Sequence, residues 1–142
     1  MFSKTCEYAI RAIIFIAQQS KDGTKIGIKD IAVGIDSPEH FIAKILQKLS
    51  KKDFVRSVKG PNGGFYMEEV DLNLTIAEIV LEIDGDGLFT RCGMGLKECS
   101  EERPCPIHND YKHIKRSIRL MLERYQIKMF IDHLDFNISY LK

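Results

Sequence analysis

Three cysteines and a histidine fall within one short stretch, Cys92, Cys99, Cys105 and His108. Thiolate and imidazole are soft or borderline donors. Such a group can hold zinc, wrap an iron–sulfur cluster or carry out thiol redox chemistry. Six residues separate Cys92 from Cys99, five separate Cys99 from Cys105, and two separate Cys105 from His108. None of the gaps between cysteines is the two-residue gap of a zinc ribbon. Longer gaps suit a wrapping loop, as do Gly93, Gly95 and Pro104. Three readings stay open on spacing alone: a cluster, a zinc site of three Cys and one His, and free redox thiols. Cys6 stands apart near the start of an apolar helix and reads as a small core hydrophobe. His113 and His133 read as solvated or packed histidines.

A loop of this kind needs elements to hold it, and the chain supplies them on both sides. Its 142 residues suffice for one domain with an extension, and 44% are apolar. Net charge is only +1, but it is unevenly spread. Residues 1–66 carry 11 Lys+Arg against 6 Asp+Glu, and residues 67–142 carry 10 against 14. A basic front half suggests contact with a polyanion, set against the plainer reading of ordinary solvated surface. The apolar run Ala9–Ala17 is interrupted by Arg11 and is too short to span a bilayer, so no membrane role and a cytoplasmic location are expected. Four cysteines in a reducing compartment point to metal or redox use rather than disulfides.

Residues 3–20 predict a helix apolar on most faces, either buried or shared with a partner. A second helix fits Ile28 to Gly34, with Gly34 as its stop. A third starts at Ser37 as N-cap with Pro38 in the first turn, and buries Phe41, Ile42, Ile45, Leu46 and Leu49. The pair joined through Gly34-Ile35-Asp36 makes a helix-turn-helix. The period then changes to strand-like around Phe54, Val55 and Val58 and again at Phe65–Met67. Between them Lys59-Gly60-Pro61-Asn62-Gly63-Gly64 is a cluster of turn formers. The expected fold is therefore mainly α with a small β-hairpin wing, a winged helix-turn-helix. Thr75 caps a further helix to Ile83 with Glu78 completing a capping box, and Asp84-Gly85-Asp86-Gly87 breaks it.

After the cysteine loop, Ile107, Tyr111, Ile114, Ile118, Met121 and Tyr125 form a heptad-like seam. A single helix to about Ile131 is expected, near 37 Å long at 1.5 Å per residue. That is too long for so small a domain to cover, so a homodimer is expected. The charged face of this helix is read as Lys112, Lys115, Arg116, Arg119, Glu123 and Arg124. In the tail, Leu134, Phe136, Ile138 and Tyr140 alternate with polar residues, which suits a short strand or a partner-bound arm. The domain plan is a DNA-binding unit over 1–84, a cysteine loop over 85–106 and a dimerisation helix with tail over 107–142.

The exposed face of the third helix offers Ser37, His40, Lys44, Gln47 and Lys48 for the major groove. Gln47 suits adenine, and the lysines suit guanine or phosphate. Lys51, Lys52, Arg56 and Lys59 read as phosphate contacts, with Gly60, Asn62 and Gly63 letting the wing backbone approach a duplex. A solvated lysine face is the plain alternative. No nucleotide loop, nucleophile elbow or paired acid and base is present. Gly60–Gly64 is not followed by a helix N-terminus, so no enzyme is expected.

These pieces in this order resemble the Rrf-two family of bacterial winged-helix regulators over almost the whole chain. The residues that carry the resemblance are Lys4-Thr5-Cys6-Glu7-Tyr8-Ala9, Lys48-Leu49 to Phe54-Val55, the wing Val58-Lys59-Gly60-Pro61-Asn62-Gly63-Gly64-Phe65, Leu74 to Ile79 and the cysteine loop. The resemblance implies a homodimer that presents each winged helix to half of a near-palindromic operator in double-stranded DNA. It also implies that Cys92, Cys99 and Cys105 hold a 2Fe–2S or 4Fe–4S cluster. His108 matches the fourth ligand of IscR-like members. Glu7 lies near the register of the carboxylate that NsrR-like members borrow from the partner subunit. His108 is the preferred fourth ligand and Glu7 the second candidate. Two departures stand out: the Cys92–Cys99 gap is one residue longer than the family pattern, and Lys59 and Phe65 replace the commoner Arg and Tyr. Two alternatives remain, a cluster-free regulator controlled by a partner or small molecule, and a zinc or thiol redox protein.

Overall fold

The computed structural model of the chain describes residues 1–135 and 141. Helix α1 spans Lys4–Gln19 and begins where the Ser3 hydroxyl accepts a hydrogen bond from the Cys6 amide at 3.1 Å. Cys6, Ala9, Ala12, Ile13, Ile14, Ile16 and Ala17 are buried, so this helix is the axis of the core. Its C-cap, Ser20, is buried with its hydroxyl satisfied. That hydroxyl donates to the Ile16 carbonyl at 2.7 Å and accepts from the Met67 amide at 3.1 Å. The end of α1 is thereby tied to the chain leaving the wing.

Helix α2 spans Ile28–Gly34 and α3 spans Glu39–Lys51. The link between them turns through Asp36 in the left-handed region, φ 52°. Gly34 lies inside α2 rather than beyond it, and its reason is packing. A Cβ there would stand 2.3 Å from the Phe15 ring. Ser37 is not the N-cap of α3. Pro38 holds that position, and the Ser37 hydroxyl is buried with no hydrogen-bond partner. The α3 stripe is as expected: Ile42, Ile45, Leu46 and Leu49 are buried, and Phe41 meets Tyr8 edge-on at 5.4 Å.

Strands β1 (Arg56–Val58) and β2 (Gly64–Tyr66) form the antiparallel hairpin, with Ser57 opposite Phe65. Ile26 extends it, exchanging two 2.8 Å backbone hydrogen bonds with Phe65. A short 3-10 turn over Glu69–Asn73 leads to α4, Ile76–Asp84. The Thr75–Glu78 capping box of α4 is formed in both directions. Gly85, φ 75°, ends α4, and a four-residue helix α5, Gly87–Thr90, follows where the sequence suggested only a break.

The expected single C-terminal helix is two helices. Helix α6 covers His108–Arg124 and α7 covers Ile127–Asp135. Tyr125 is extended between them (ψ 110°). The reason is tertiary: the Ile76 amide donates to the Tyr125 carbonyl at 3.0 Å, and the Ile127 amide donates to the Leu74 carbonyl at 2.9 Å. Backbone pairing with the start of α4 replaces the intrahelical bonds that continuation would have used. Leu122, Ile127 and Ile131 join the same core as α1. Leu134 lies in α7, while Phe136, Ile138 and Tyr140 of the expected tail pattern lie outside the described residues.

Candidate DNA interface and thiol site

Packing of the α3 stripe into the core forces its other face outward. His40, Lys44, Gln47, Lys48 and Lys51 are all exposed on that face. At the wing tip Lys59, Gly60, Pro61 and Asn62 are exposed as well. The wing glycines have structural duties of their own. A Cβ on Gly63 would stand 2.0 Å from the Val58 carbonyl oxygen, and one on Gly64 would meet the Ile26 backbone at 2.8 Å. Gly60 takes a positive φ of 106°. The hairpin can close only with these residues.

Three expected contacts are placed differently from the rest, the first being Lys52, whose Nζ lies 3.8 Å from Glu82 Oε2. Ser37 turns its hydroxyl inward. Arg56 is half-exposed but paired within the chain: Nε donates to Asp71 Oδ2 at 2.8 Å, Nη2 lies 3.3 Å from Oδ1, and Glu68 is 3.4 Å away. The Asp71 carboxylate holds this guanidinium firmly charged. It also ties the wing base to the 3-10 turn. Lys59, by contrast, makes no ion pair among the described residues.

The thiol site hangs between α5 and α6. Residues 91–107 contain no helix or strand. Gly93 packs against the Tyr111 ring, where a Cβ would approach to 2.9 Å. The donors stand in two pairs. Cys99 Sγ lies 3.5 Å from His108 Nδ1, and Cys92 has Cys105 as its thiol neighbour. The backbone N–H groups of Met94 and Leu96 draw the Cys92 thiol below its ordinary range, with smaller help from Cys105 and the Lys115 charge. His108, the first residue of α6, is only 4% exposed, and its Nε2 has no hydrogen-bond partner. Glu101 approaches that atom to 3.5 Å without making a hydrogen bond and is paired with Lys112, which holds its carboxyl below the usual range.

The donor set suits a soft metal or cluster, and an orphaned buried imidazole nitrogen is the kind of atom that ligation satisfies. The positions require the loop to close further. Among the described residues no three His, Cys, Asp or Glu side chains are near enough to share a metal ion. Glu7 pairs with Lys4 at 2.8 Å. Cys6 is fully buried, and burial, followed by Asp84, pushes its thiol up to about 12.

Sequence reasoning misplaced a residue of α6 as well. Lys115, assigned to the charged outer face of α6, is 8% exposed and sits against the thiols. Its Nζ lies 3.3 Å from Cys99 Sγ, 3.2 Å from the Arg91 carbonyl and 3.4 Å from that of Thr90. The signal was available: Lys115 falls seven residues after His108 and seven before Leu122, and all three are the buried row of α6. The row one step earlier points outward. Ile107, Ile114 and Met121 are 40%, 52% and 36% exposed.

No helix in the described residues is long and apolar enough to cross a membrane. Residues 2–133 match the Rrf2 family, described as iron-dependent transcriptional regulators. A protein of Aquifex aeolicus described as an HTH-type transcriptional regulator is 33% identical over 135 residues, 93% of this chain and 92% of that one. The global cysteine regulator CymR of B. subtilis has the same fold, with TM-score 0.75 and 18% identity over 94% of this chain and 97% of CymR. IscR of T. potens is similar at TM-score 0.74 and 18% identity, covering all of this chain and 93% of IscR. The relatives are described as transcriptional regulators rather than enzymes. The chain belongs to the Rrf2 family of DNA-binding transcriptional regulators.

Proposed function

We propose that this regulator acts as a homodimer on a near-palindromic duplex operator, and that its affinity is set by an iron–sulfur cluster held by Cys92, Cys99 and Cys105 with His108 as fourth ligand. The observation that carries the reading is the joining of two features. The thiol loop ends directly on α6, and α6 leaves the row Ile107, Ile114 and Met121 uncovered along one side. A second α6 laid against that row would bury it, as in a coiled coil. Each protomer would then offer α3 and its wing to one half-site. His40, Lys44, Gln47 and Lys48 face the bases, while Lys51, Lys59, Gly60 and Asn62 face the phosphates. Arg56 acts through its pairing with Asp71, bracing the wing. Gly63 keeps the hairpin closed. Glu7 is the weaker candidate for the fourth ligand because Lys4 already pairs with it.

A bound cluster supplies one-electron redox chemistry and sensitivity to iron supply and oxidants. The chain's own part is to gather the donors and pass their rearrangement to α6. His108 is both a donor and the first residue of that helix, so drawing Cys92 and Cys105 toward the Cys99–His108 pair changes how the helix begins. This biases the dimer between half-site spacings.

A second reading is favoured by the standing apart of the two donor pairs. In it the thiols stay metal-free and the signal is a partner or small molecule. One sample separates the readings: anaerobically purified protein, with its visible spectrum, its iron, sulfide and zinc per chain, and its sedimentation. Matched iron and sulfide in a dimer support the cluster reading, and the spectrum and their amounts distinguish two irons from four. Zinc without colour overturns it in favour of a zinc site. A colourless, metal-free dimer that resists reconstitution leaves the cluster-free regulator.

A further inference from the structure

We propose that Lys115 is a positioning residue of the thiol site, a fixed counter-charge and hydrogen-bond donor to Cys99 that stabilises the site in its anionic, metal-holding state. The inference rests on the cluster reading above and concerns a residue outside the donor set.

Lys115 is a cation taken almost entirely out of water, and among the described residues no carboxylate lies within ion-pairing distance of it. A buried charge left this way is costly unless something of opposite sign meets it. An ammonium has three donors, and each has a partner here: the carbonyls of Thr90 and Arg91, and Cys99 Sγ. The Tyr111 ring, 5.5 Å from Nζ to centroid, closes another side. The two carbonyls belong to the end of α5 and its cap, so they hold the ammonium whether or not anything is bound. Of the three partners only the sulfur can carry a full negative charge. Three thiolates and one neutral imidazole around iron leave the bound site net negative, and the cation already stands against one of its sulfurs. Hydrogen bonds to ligand sulfur and local net charge are among the levers that set cluster stability and potential.

The test compares the wild type with Lys115→Met, which keeps length and apolar bulk but removes the charge, and Lys115→Arg, which keeps the charge. Each is reconstituted anaerobically with iron(II) and sulfide. Two readouts follow: the rate of bleaching in excess EDTA and the midpoint potential from a mediated titration. Lys115→Met is expected to bleach about 10-fold or more faster, in line with the loss of an outer-shell partner. Its midpoint is expected to move to more negative potential, because the reduced site carries one more negative charge. Lys115→Arg should stay nearer the wild type in both. Should Lys115→Met not fold, Lys115→Gln, neutral yet able to donate to the Thr90 carbonyl, is measured with the same expected directions. Unchanged bleaching and potential in the neutral variant overturn the inference. A wild type that takes up no iron and sulfide overturns the cluster reading on which it rests, and the inference with it.

Discussion

Residues 28–66 and residues 91–115 both carry charge and clusters of turn formers, yet they are held in different ways. In the first, apart from the unpartnered Ser37 hydroxyl, the wing and turn residues have steric or hydrogen-bonded reasons visible within the chain. Gly34 makes room for Phe15, Gly63 and Gly64 admit the Val58 and Ile26 backbones, and Arg56 is clamped by Asp71. In the second, the distinctive residues lack such completion. The thiols stand in separate pairs, the His108 Nε2 is orphaned, and a buried lysine points at a sulfur. A reading head must present the same surface every time, so its shape is set by packing. On the proposed reading the thiol loop senses a signal and must have two shapes, so part of its bonding is left for that signal to supply.

The contrast can be broken most strongly from the core side. Leu46→Ala removes a fully buried side chain beneath α3 and should cost about 2–5 kcal/mol, read as a lowered midpoint in urea, with operator binding lost in proportion. A loss confined to DNA affinity at unchanged stability would mean α3 is not anchored through this stripe. Next comes Gly63→Ala. A methyl group 2.0 Å from a backbone carbonyl must distort the hairpin, so the global cost should be about 1–3 kcal/mol with a larger fall in DNA affinity. Wild-type affinity in this variant would show that the wing is free to reshape.

Replacing Cys92, Cys99 and Cys105 together by Ala should leave the metal-free melting temperature within a few degrees, because the loop contributes little to the core. It should abolish any response of DNA affinity to iron or oxidant. A response that persists would place the signal elsewhere. Lys59→Gln should weaken binding to all sequences and flatten the salt slope by about one unit. Arg56→Gln should leave that slope unchanged, since Asp71 already neutralises the charge, and should instead loosen the wing. Equal slopes for the two variants would erase the distinction drawn between them. The smallest effect concerns Cys6. Buried and pushed up to about 12, it should not react with a maleimide in native protein, whereas Cys99 and Cys105 should.

Much of this was legible because local chemistry states it. The Thr75–Glu78 box announces a helix start, the α3 stripe has a clean 3.6-residue period, and the turn formers of the wing admit little but a hairpin. The α6–α7 break was not legible. Tyr125-Gln126 contains no glycine or proline, and the apolar seam runs straight through it. What interrupts the helix is the pairing of Gln126 with Thr75, 51 positions earlier, and no local pattern encodes that. Lys115 was misread because a lysine on an amphipathic helix defaults to the wet side. The positions of His108 and Leu122 on the same row were the only correction the sequence held.

The pairing of Thr75 with Gln126 has a mechanical consequence. It fastens α6 at its C-terminal end to the cap of α4, which belongs to the same packed body as α1 and α3. The other end of α6 carries the thiol loop. The helix is therefore a lever with its fulcrum on the DNA-reading side. For 17 residues, about 26 Å of arm, a tilt of roughly 5° at the pin corresponds to roughly 2 Å of travel at the loop. Run in reverse, a modest closure of the loop is geared down into a small, well-defined rotation where two protomers would set the distance between their wings.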